Sequence, residues 1–378
     1  MHTAKNIHFI FYKILVLLAV IVIKTSIFAQ TEHRDDHQLN HGNESSLENY
    51  GDSALGKSHD SKAEKFDAGK MIIEHVSNSH SWHLWGHSEL ALPIIIYNKT
   101  ASRWDIFSST KFNHGHDTYL GYSLSHGIIS HDKQEKIFDL SLTKNGAAAI
   151  LASIALVIIM LLVARNYKKR GTASPKGIAS FVEPLILFLK DEVIKPSIGK
   201  GYEKFVPYLL TLFFFIFINN LFGLIPIFPG GANVTGNIAI TGVLALITFI
   251  ITTLNGSKDY WKHIFLPPGV PKFLWILLIP IEIIGVLTKP IVLMIRLFAN
   301  ITAGHIIILG FFSLIFIFSE MSKGLGLGVS VLSVAFTTFM SMLELLVAFL
   351  QAYVFTLLSS LYIGSARETH SHEEQAQH

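Results

Sequence analysis

The chain contains no cysteine among its 378 residues. It therefore forms no disulfide, has no thiolate nucleophile and offers no Cys-based zinc site. Charged residues are also scarce, at 15% against the roughly 25% that is usual in soluble globular proteins. Half of the residues are hydrophobic, and they gather in runs long enough to cross a bilayer. The composition indicates a polytopic membrane protein of the all-α class. The net charge of +3 is spread along the chain and gives no support for nucleic-acid binding.

The first 29 residues have the pattern of a secretory signal peptide. Lys5 and Lys13 precede a short apolar core at residues 14–23, and small residues follow. This pattern predicts cleavage after Ala29. An uncleaved first membrane helix is the alternative, and with either reading the residues that follow are expected to be exported.

Residues 30–145 form a polar, His-rich region that differs from the rest of the chain. They hold 12 of the 19 histidines. The stretch 31–70 has few large apolar residues and is predicted to be disordered. Aromatic and β-branched residues increase after residue 82, and segments 92–97 and 137–142 are predicted to be short strands of a small exported domain.

Two histidine pairs in this region, His83/His87 and His114/His116, could ligate a metal ion. No acid or cysteine stands at a spacing that would complete a site, and i,i+4 spacing brings side chains together only in a helix. The sequence therefore favours a solvated, at most weakly metal-binding surface. No resident metal is predicted.

The first membrane span is predicted at residues 147–164. It is closed by Arg165 and the basic cluster 168–170. Because cytoplasmic flanks are enriched in Lys and Arg, this end is expected to face the cytoplasm and the N-terminal region to lie outside. Residues 177–196 mix charged with apolar side chains, which is typical of an amphipathic helix at the cytoplasmic surface.

Four more apolar runs complete a transmembrane domain predicted at residues 146–365. They lie at residues 205–228, 237–254, 273–318 and 325–363. The last two exceed the roughly 20 residues of a perpendicular span, so we expect them to be tilted. The prediction is five spanning helices plus one surface helix, with a cytoplasmic tail at 366–378.

Arg296 is the most costly residue in these apolar runs. A charge near the bilayer centre costs from about 3 to more than 10 kcal/mol and usually marks a functional position. Glu282 and Lys289 precede Arg296 by fourteen and seven residues, so on a straight helix the three lie within about 40° of one another. Asn300, four residues later, extends the same face. An Arg that extends to the bilayer interface is the alternative, but apolar residues continue for several turns after it.

Other polar residues in the last two runs are candidates for proton transfer. His305 follows Arg296 by nine residues and is expected on the opposite side of the helix. Glu344 and Gln351 are seven residues apart and share one face. His and Glu on neighbouring helices can pass protons near neutral pH, whereas Arg keeps its proton and can only act as a fixed charge. From the residues alone, a neutral hydrogen-bonded His305–Glu344 pair that joins two helices is an equal alternative.

These residues carry a resemblance to a known family. The run from Arg296 to Asn300 (Arg-Leu-Phe-Ala-Asn), with Lys289-Pro290 before it and Ala303-Gly304 after it, resembles the signature helix of subunit a of F-type ATP synthases. The stretches 220–226 and 350–355 resemble an earlier helix end and the last helix of that family. The similarity covers residues 138 to 365 and leaves the N-terminal region unexplained.

The resemblance implies two offset proton half-channels that meet a rotating ring of c subunits. Arg296 would separate the two paths and pair transiently with a carboxylate of the ring. Asn300 and Gln351 would orient or flank Arg296, Glu282 would line one half-channel, and Lys289 and Gly304 would be supporting positions. In many bacterial members the residues that match His305 and Glu344 are exchanged, which favours two side chains that meet and jointly serve one half-channel.

The resemblance also implies partners and a location. The c-subunit ring, the peripheral-stalk subunit b and the remaining ATP synthase subunits would be partners, in the inner membrane of a bacterial cell. ATP chemistry would reside in those subunits, so this chain is expected to catalyse no chemical step and to need no cofactor.

Two other functional classes agree less well with the sequence. A secondary transporter often has inverted repeats and midplane carboxylates, but we find no internal repeat, and the strongest midplane charge is cationic. A membrane-anchored enzyme would need catalytic motifs in residues 30–145, and that region has no nucleophile elbow, phosphate loop or zinc-protease helix.

Overall fold

The computed structural model describes residues 78–85, 88–115, 117–125, 127–133, 135–170, 176–225, 230–267 and 271–368, together with positions 69 and 72. These residues belong to two compact units. We call residues 145–303 and 343–368 the membrane unit, and residues 78–144 and 304–342 the second unit. The predicted signal peptide, most of the stretch predicted to be disordered and the end of the C-terminal tail lie outside the described residues.

Residues 78–144 of the second unit, which we call the β domain, contain short strands, as the sequence predicts. The described strands are β1 Ser81–Trp85, β2 Ser88–Ala91, β3 Pro93–Asn98, β4 Arg103–Ser108, β5 Tyr122–Ser125, β6 Ile128–His131 and β7 Ile137–Asp139. Strand β3 lies between β4 and β7 in an antiparallel three-stranded sheet. Strands β1 and β2, and likewise β5 and β6, form separate antiparallel pairs.

The β domain has its own hydrophobic core on one face of the three-stranded sheet. Ile94 and Ile96 of β3 are fully buried against Phe112 and Tyr122. The Tyr122 hydroxyl donates to Asp105 at 2.7 Å, and Arg103 forms an ion pair with the same carboxylate. Because these polar groups satisfy one another, the core can contain them without a large desolvation cost.

The remaining described chain is mostly helical. The helices are α1 Lys144–Arg170, α2 Ile178–Phe188, α3 Lys195–Ile198, α4 Val206–Leu224, α5 Ile238–Leu254, α6 Lys258–Phe265, α7 Trp275–Met321 and α8 Lys323–Arg367. A π-helical stretch, Leu189–Ile194, joins α2 to α3. The helix predicted over 177–196 therefore forms, with an interruption that its amphipathic pattern does not reveal.

The predicted membrane spans correspond closely to these helices. Among the described residues, α1, α4, α7 and α8 are each long and apolar enough to cross a bilayer. Helices α5 and α6 meet at an angle of 101°, and counting that bent pair as one span gives the five that the sequence predicts. At about 1.5 Å per residue, α7 and α8 are each near 70 Å long, far longer than a perpendicular span.

Helix α4 ends earlier than the predicted boundary at residue 228. Ile225 has φ −84° and ψ 114°, which is an extended conformation. Pro226 follows it, and a residue that precedes proline is sterically pushed out of the helical region. The apolar run continues beyond this point, so hydropathy alone places the end too late.

Helix α4 is largely buried within the chain, with 67% of its most apolar stretch covered. Its Tyr208 hydroxyl and the Thr248 hydroxyl of α5 are 2.7 Å apart and hydrogen-bonded. The ring of Phe213 meets Phe349 of α8 edge to face at 5.8 Å. These contacts join α4 to both α5 and α8.

Candidate functional site

Helix α7 places the predicted charged stripe on one continuous helix. It runs without interruption from Trp275 to Met321. The seven-residue spacing of Glu282, Lys289 and Arg296 therefore sets the three side chains along one stripe, as the sequence predicts. The Glu282 carboxylate acts electrostatically on the Lys289 ammonium, which agrees with this arrangement.

Arg296 lies on the exposed side of α7. Leu293, Leu297 and Ile301, at i, i+4 and i+8, form a buried stripe on that helix. Arg296 and Asn300 belong to the adjacent exposed stripe. The helix therefore packs by its leucine side and presents the guanidinium outward from the membrane unit.

No acid of the described chain neutralises Arg296. Among the described residues, no Asp or Glu oxygen lies within 4 Å of its guanidinium. Arg296 interacts electrostatically with the Tyr362 hydroxyl of α8. Within the described residues, this permanent cation thus interacts with a phenol and has no carboxylate at ion-pair distance.

Helix α8 carries a second polar stripe. Glu344 is buried and Gln351 is half-buried in the membrane unit. Tyr362 follows Gln351 by eleven residues, and at 100° per residue the offset between them is only about 20°. The sequence analysis missed Tyr362, although this spacing places it on the face that Glu344 and Gln351 share.

Lys289 and Tyr362 connect α7 to α8. The Lys289 ammonium lies 5.4 Å from the centroid of the Tyr362 ring, which is the geometry of a cation–π contact. Beside this contact is a cavity of about 10 Å³, which is space for roughly one water molecule. Its lining includes Thr252 and Tyr260.

Thr252 is the polar residue that points to water in this cavity. It is 6% exposed, and its hydroxyl has no hydrogen-bond partner in the described part of the chain. A buried hydroxyl is usually satisfied by protein or ordered water, so a water at this place would complete its hydrogen bonding. Sequence reasoning could not find Thr252, because a lone Thr in an apolar helix has no distinctive spacing.

His305 and Gly304 belong to the second unit, whereas Glu344 belongs to the membrane unit. His305 is half-buried. The predicted meeting of His305 with Glu344 therefore stays a prediction. It is taken up below with the experiment that tests it.

The motif at residues 220–226 has a clear structural role. The Asn220 amide donates to the Ala348 carbonyl of α8 at 3.0 Å, and its oxygen accepts from the Thr235 hydroxyl at 2.6 Å. Thr302 of α7 donates to the Gly236 carbonyl in the same loop. Asn220 thus fixes α4 to the helix that carries Gln351.

The histidine pairs of the N-terminal region remain untested as ligands. His87 and His116 lie outside the described residues. Within the residues that are described, no three His, Asp or Glu side chains are grouped closely enough to hold a metal ion.

Comparison with known proteins agrees with the motifs in α4, α7 and α8. Residues 147–364 match the family described as ATP synthase A chain. Residues 71–149 match a separate family described as a domain of unknown function (DUF8433), which covers the β domain.

Individual relatives extend this result. The chain is 48% identical over 235 residues to ATP synthase subunit a 2 of Chlorobaculum tepidum, a match that covers 61% of this chain and 64%, less than two thirds, of the relative. It is 44% identical over 277 residues to ATP synthase subunit a 2 of Prosthecochloris aestuarii, a match that covers 69% of this chain and 82% of that relative. It is 36% identical over 376 residues to ATP synthase subunit a 2 of Chlorobium luteolum, a match that covers 97% of this chain and 96% of that relative.

The last relative matches nearly the whole chain, so the N-terminal region is shared as well as the helices. The family match covers more than half of the chain and includes every candidate site residue in α7 and α8. These findings confirm the resemblance drawn from the Arg296 motif. The chain belongs to the family of subunit a of F-type ATP synthases, membrane proteins that catalyse no chemical step themselves and whose known function is proton translocation.

Proposed function

We propose that this chain forms two proton half-channels where it meets a rotating ring of c subunits, and so couples proton flow to ATP synthesis. The observation that carries the proposal is the exposed Arg296 on an apolar helix, with no acid of the described chain at ion-pair distance. An unpaired cation inside a bilayer is costly. A carboxylate supplied by another subunit would remove that cost.

Arg296 acts as a fixed charge in this mechanism. Because a guanidinium keeps its proton in proteins, it cannot carry protons, but it blocks their direct passage and stabilises an approaching carboxylate as the anion. A ring carboxylate would lose its proton on reaching Arg296 and be reprotonated after leaving it. Asn300 on α7 and Gln351 on α8 would hold the guanidinium in position.

Glu282 and Lys289 would belong to the half-channel that opens to the cytoplasm. Glu282 lies about 21 Å before Arg296 along α7, at 1.5 Å per residue. The basic residues at the C-terminal end of α1 favour a cytoplasmic location for that end and, after two more spans, for the start of α7. The water-sized cavity beside Lys289, with the unsatisfied Thr252 hydroxyl, supports a hydrated path at this level.

His305 and Glu344 would serve the other half-channel. His305 lies about 13 Å beyond Arg296 towards the opposite end of α7. Glu344 is buried in α8, where a carboxyl group normally needs a partner. A proton would pass between the two side chains on its way to the ring. A neutral pair that only joins the helices is the competing interpretation.

The proposal extends to partners and location. Only 11% of the most apolar stretch of α7 and 17% of that of α8 are buried within the chain. The c ring, subunit b and lipid would cover the remaining surface in the inner membrane of a bacterium. The N-terminal region would be exported after cleavage behind residue 29, with residues 30–145 outside, 146–365 in the membrane and 366–378 in the cytoplasm. Gly304 would be a supporting position.

Replacement of Arg296 tests this function. Arg296→Ala should abolish proton-driven ATP synthesis in inverted membrane vesicles, while the complex still assembles. Arg165→Ala is the matched control, because Arg165 is also exposed but lies at the end of α1. ATP synthesis that is undiminished in the Arg296 variant would overturn the proposed role.

Exchange of the two relay residues separates the two interpretations of the His305–Glu344 pair. His305→Glu and Glu344→His should each reduce ATP synthesis, and the double exchange should restore it. Failure of the double exchange in an assembled complex would count against the pairing. Restored assembly without restored proton flux would favour the neutral pair.

A further inference from the structure

The β domain has one apolar face that nothing in the described chain covers. We call Ile95, Tyr97, Trp104, Ile106 and Phe138 the outer sheet face. Ile106 is 70% exposed, Trp104 56% and Phe138 39%. They alternate with the side chains that point into the core, because neighbouring residues of a strand face opposite sides of the sheet.

Adjacent side chains on the outer sheet face are cross-strand partners. Tyr97 is paired with both Trp104 and Phe138, and Ile95 is paired with Ile106. The Tyr97 and Trp104 rings lie 4.9 Å apart. The result is a continuous apolar surface across three strands, and surfaces of this kind mark interaction sites.

No free linker separates the last strand of this sheet from the first membrane helix. After β7, the Leu142 amide donates to the Pro93 carbonyl at 3.1 Å. Two residues later, the Lys144 amide donates to the Ser79 carbonyl at 2.8 Å, and α1 begins at Lys144. The β domain is thus hydrogen-bonded up to the residue where the candidate span starts, so no free linker separates the two in the chain.

The chemistry of the outer sheet face suits lipid headgroups. Trp and Tyr concentrate at membrane interfaces, where the apolar ring is buried and the polar atom stays hydrated. Lys99 lies 5.6 Å above the Phe138 ring, and its amide is hydrogen-bonded to the Lys136 carbonyl. Two lysines therefore border the aromatic end of the face, where anionic headgroups would attract them.

The dimensions of the sheet also agree with a lipid contact. From the Pro93 row to the Tyr97 row the sheet extends about 13 Å at 3.3 Å per residue. The whole outer sheet face is therefore close to the point where the chain enters the membrane. A sheet lying flat at that point would bring every residue of the face to the headgroup layer.

We propose that the outer sheet face of the β domain rests on the lipid surface, with Ile106 and Trp104 entering the headgroup layer. This surface would hold the β domain against the bilayer. The inference is independent of the proton path, because none of its residues lies in α7 or α8.

A spin label at residue 106 tests the contact. The chain has no cysteine of its own, so Ile106→Cys gives it one labelling site, and the high exposure of Ile106 makes disruption of the fold small. The label would be measured in the intact complex in vesicles of phosphatidylethanolamine and phosphatidylglycerol, with the unsubstituted complex as the background. Thr118→Cys is the matched control, since Thr118 is exposed in the segment that covers the opposite face of the sheet.

The expected result is a label at 106 that collides with dissolved oxygen several-fold more, relative to a water-soluble nickel complex, than the label at 118. The double change Trp104→Ser with Phe138→Ser should reduce this ratio at 106. A label at 106 that is as accessible to nickel as the one at 118 would overturn the proposal. So would a label shielded from both reagents, because that pattern means that another protein covers the face.

Discussion

Helices α4 and α7 are both apolar, yet they differ in how much of their surface is buried within the chain. In α4, 67% of the most apolar stretch is buried within the chain, whereas in α7 the fraction is 11%. Hydropathy separates them in the opposite sense, since α7 has the higher mean value, 2.3 against 1.7. Apolarity therefore indicates that a helix lies in the membrane but does not indicate what it faces.

This difference in burial separates polar residues that stabilise the fold from polar residues that are candidates for function. Helix α4 uses its polar residues, such as Asn220, to fix neighbouring helices of the same chain. Helix α7 leaves Arg296 and Asn300 exposed. The proposed function assigns Arg296 a partner from outside the chain, whereas the satisfied amide of Asn220 in the interior holds the scaffold.

The largest expected effect comes from emptying the packed interior. Leu209→Ala in α4, where Leu209 is fully buried, should lower the free energy of unfolding by about 3 kcal/mol, because it leaves a cavity. Leu277→Ala in α7 is the matched control, since Leu277 is 64% exposed. SDS-induced unfolding of the purified subunit in detergent measures both. Equal losses would contradict the contrast between the two helices.

Two glycines also distinguish a closely packed helix segment from an exposed one. A Cβ at Gly364 of α8 would overlap the Ser197 carbonyl, whereas at Gly285 of α7 it would meet no atom within 4 Å. Gly364→Ala should therefore cost about 2 kcal/mol through overpacking. Gly285→Ala should leave stability near that of the unchanged chain. The same unfolding assay applies, and tolerance of Gly364→Ala would show that the α3–α8 contact is loose.

The polar anchor of α4 should have a smaller effect. Asn220→Leu removes its hydrogen bonds with Ala348 and Thr235. Side-chain hydrogen bonds in membrane proteins contribute on average less than about 1 kcal/mol each, so the loss should be about 1 kcal/mol. Thr235→Val, which removes one of the two bonds, should cost less than Asn220→Leu. The reverse order would mean that Asn220 is not the anchor.

The smallest effect concerns a buried group of the β domain. Burial lowers the pKa of His80 below its ordinary value, although the Asp139 carboxylate opposes the shift. The folded state then binds fewer protons than the unfolded state, so stability is complete above the ordinary pKa near 6.5 and declines as the pH falls below it. The protection of the β3 amides from hydrogen exchange, compared between pH 7 and pH 5, measures this decline. His80→Gln should remove most of the pH dependence, and an unchanged dependence in that variant would assign it to another group.

The sequence was sufficient for the features that depend on local pattern. Apolar runs predict the membrane helices, and the seven-residue spacing predicts the stripe of Glu282, Lys289 and Arg296. The strand predicted at 92–97 is observed one residue later, at Pro93–Asn98. Strands β5 and β6 were not predicted because each has only four residues, with serines among its apolar side chains, and so gives a weak signal.

Other features depend on packing between distant residues and could not be predicted. The Asn220–Ala348 hydrogen bond joins residues 128 positions apart. The cavity beside Lys289 collects side chains from α5, α6, α7 and α8. The burial difference between α4 and α7 also arises only when neighbouring helices are in place, because both sequences are apolar around most of the helix surface.

Disulfide cross-linking tests most directly whether the exposed face of α7 meets a partner carboxylate. Val292 is 37% exposed and lies one turn before Arg296, whereas the adjacent Leu293 is 1% exposed. With a cysteine placed beside the ring carboxylate of a c subunit, Val292→Cys should form a cross-link to the ring on oxidation, and Leu293→Cys should not. Absence of the Val292 cross-link in an assembled, active complex, or an equal yield at Leu293, would contradict the account.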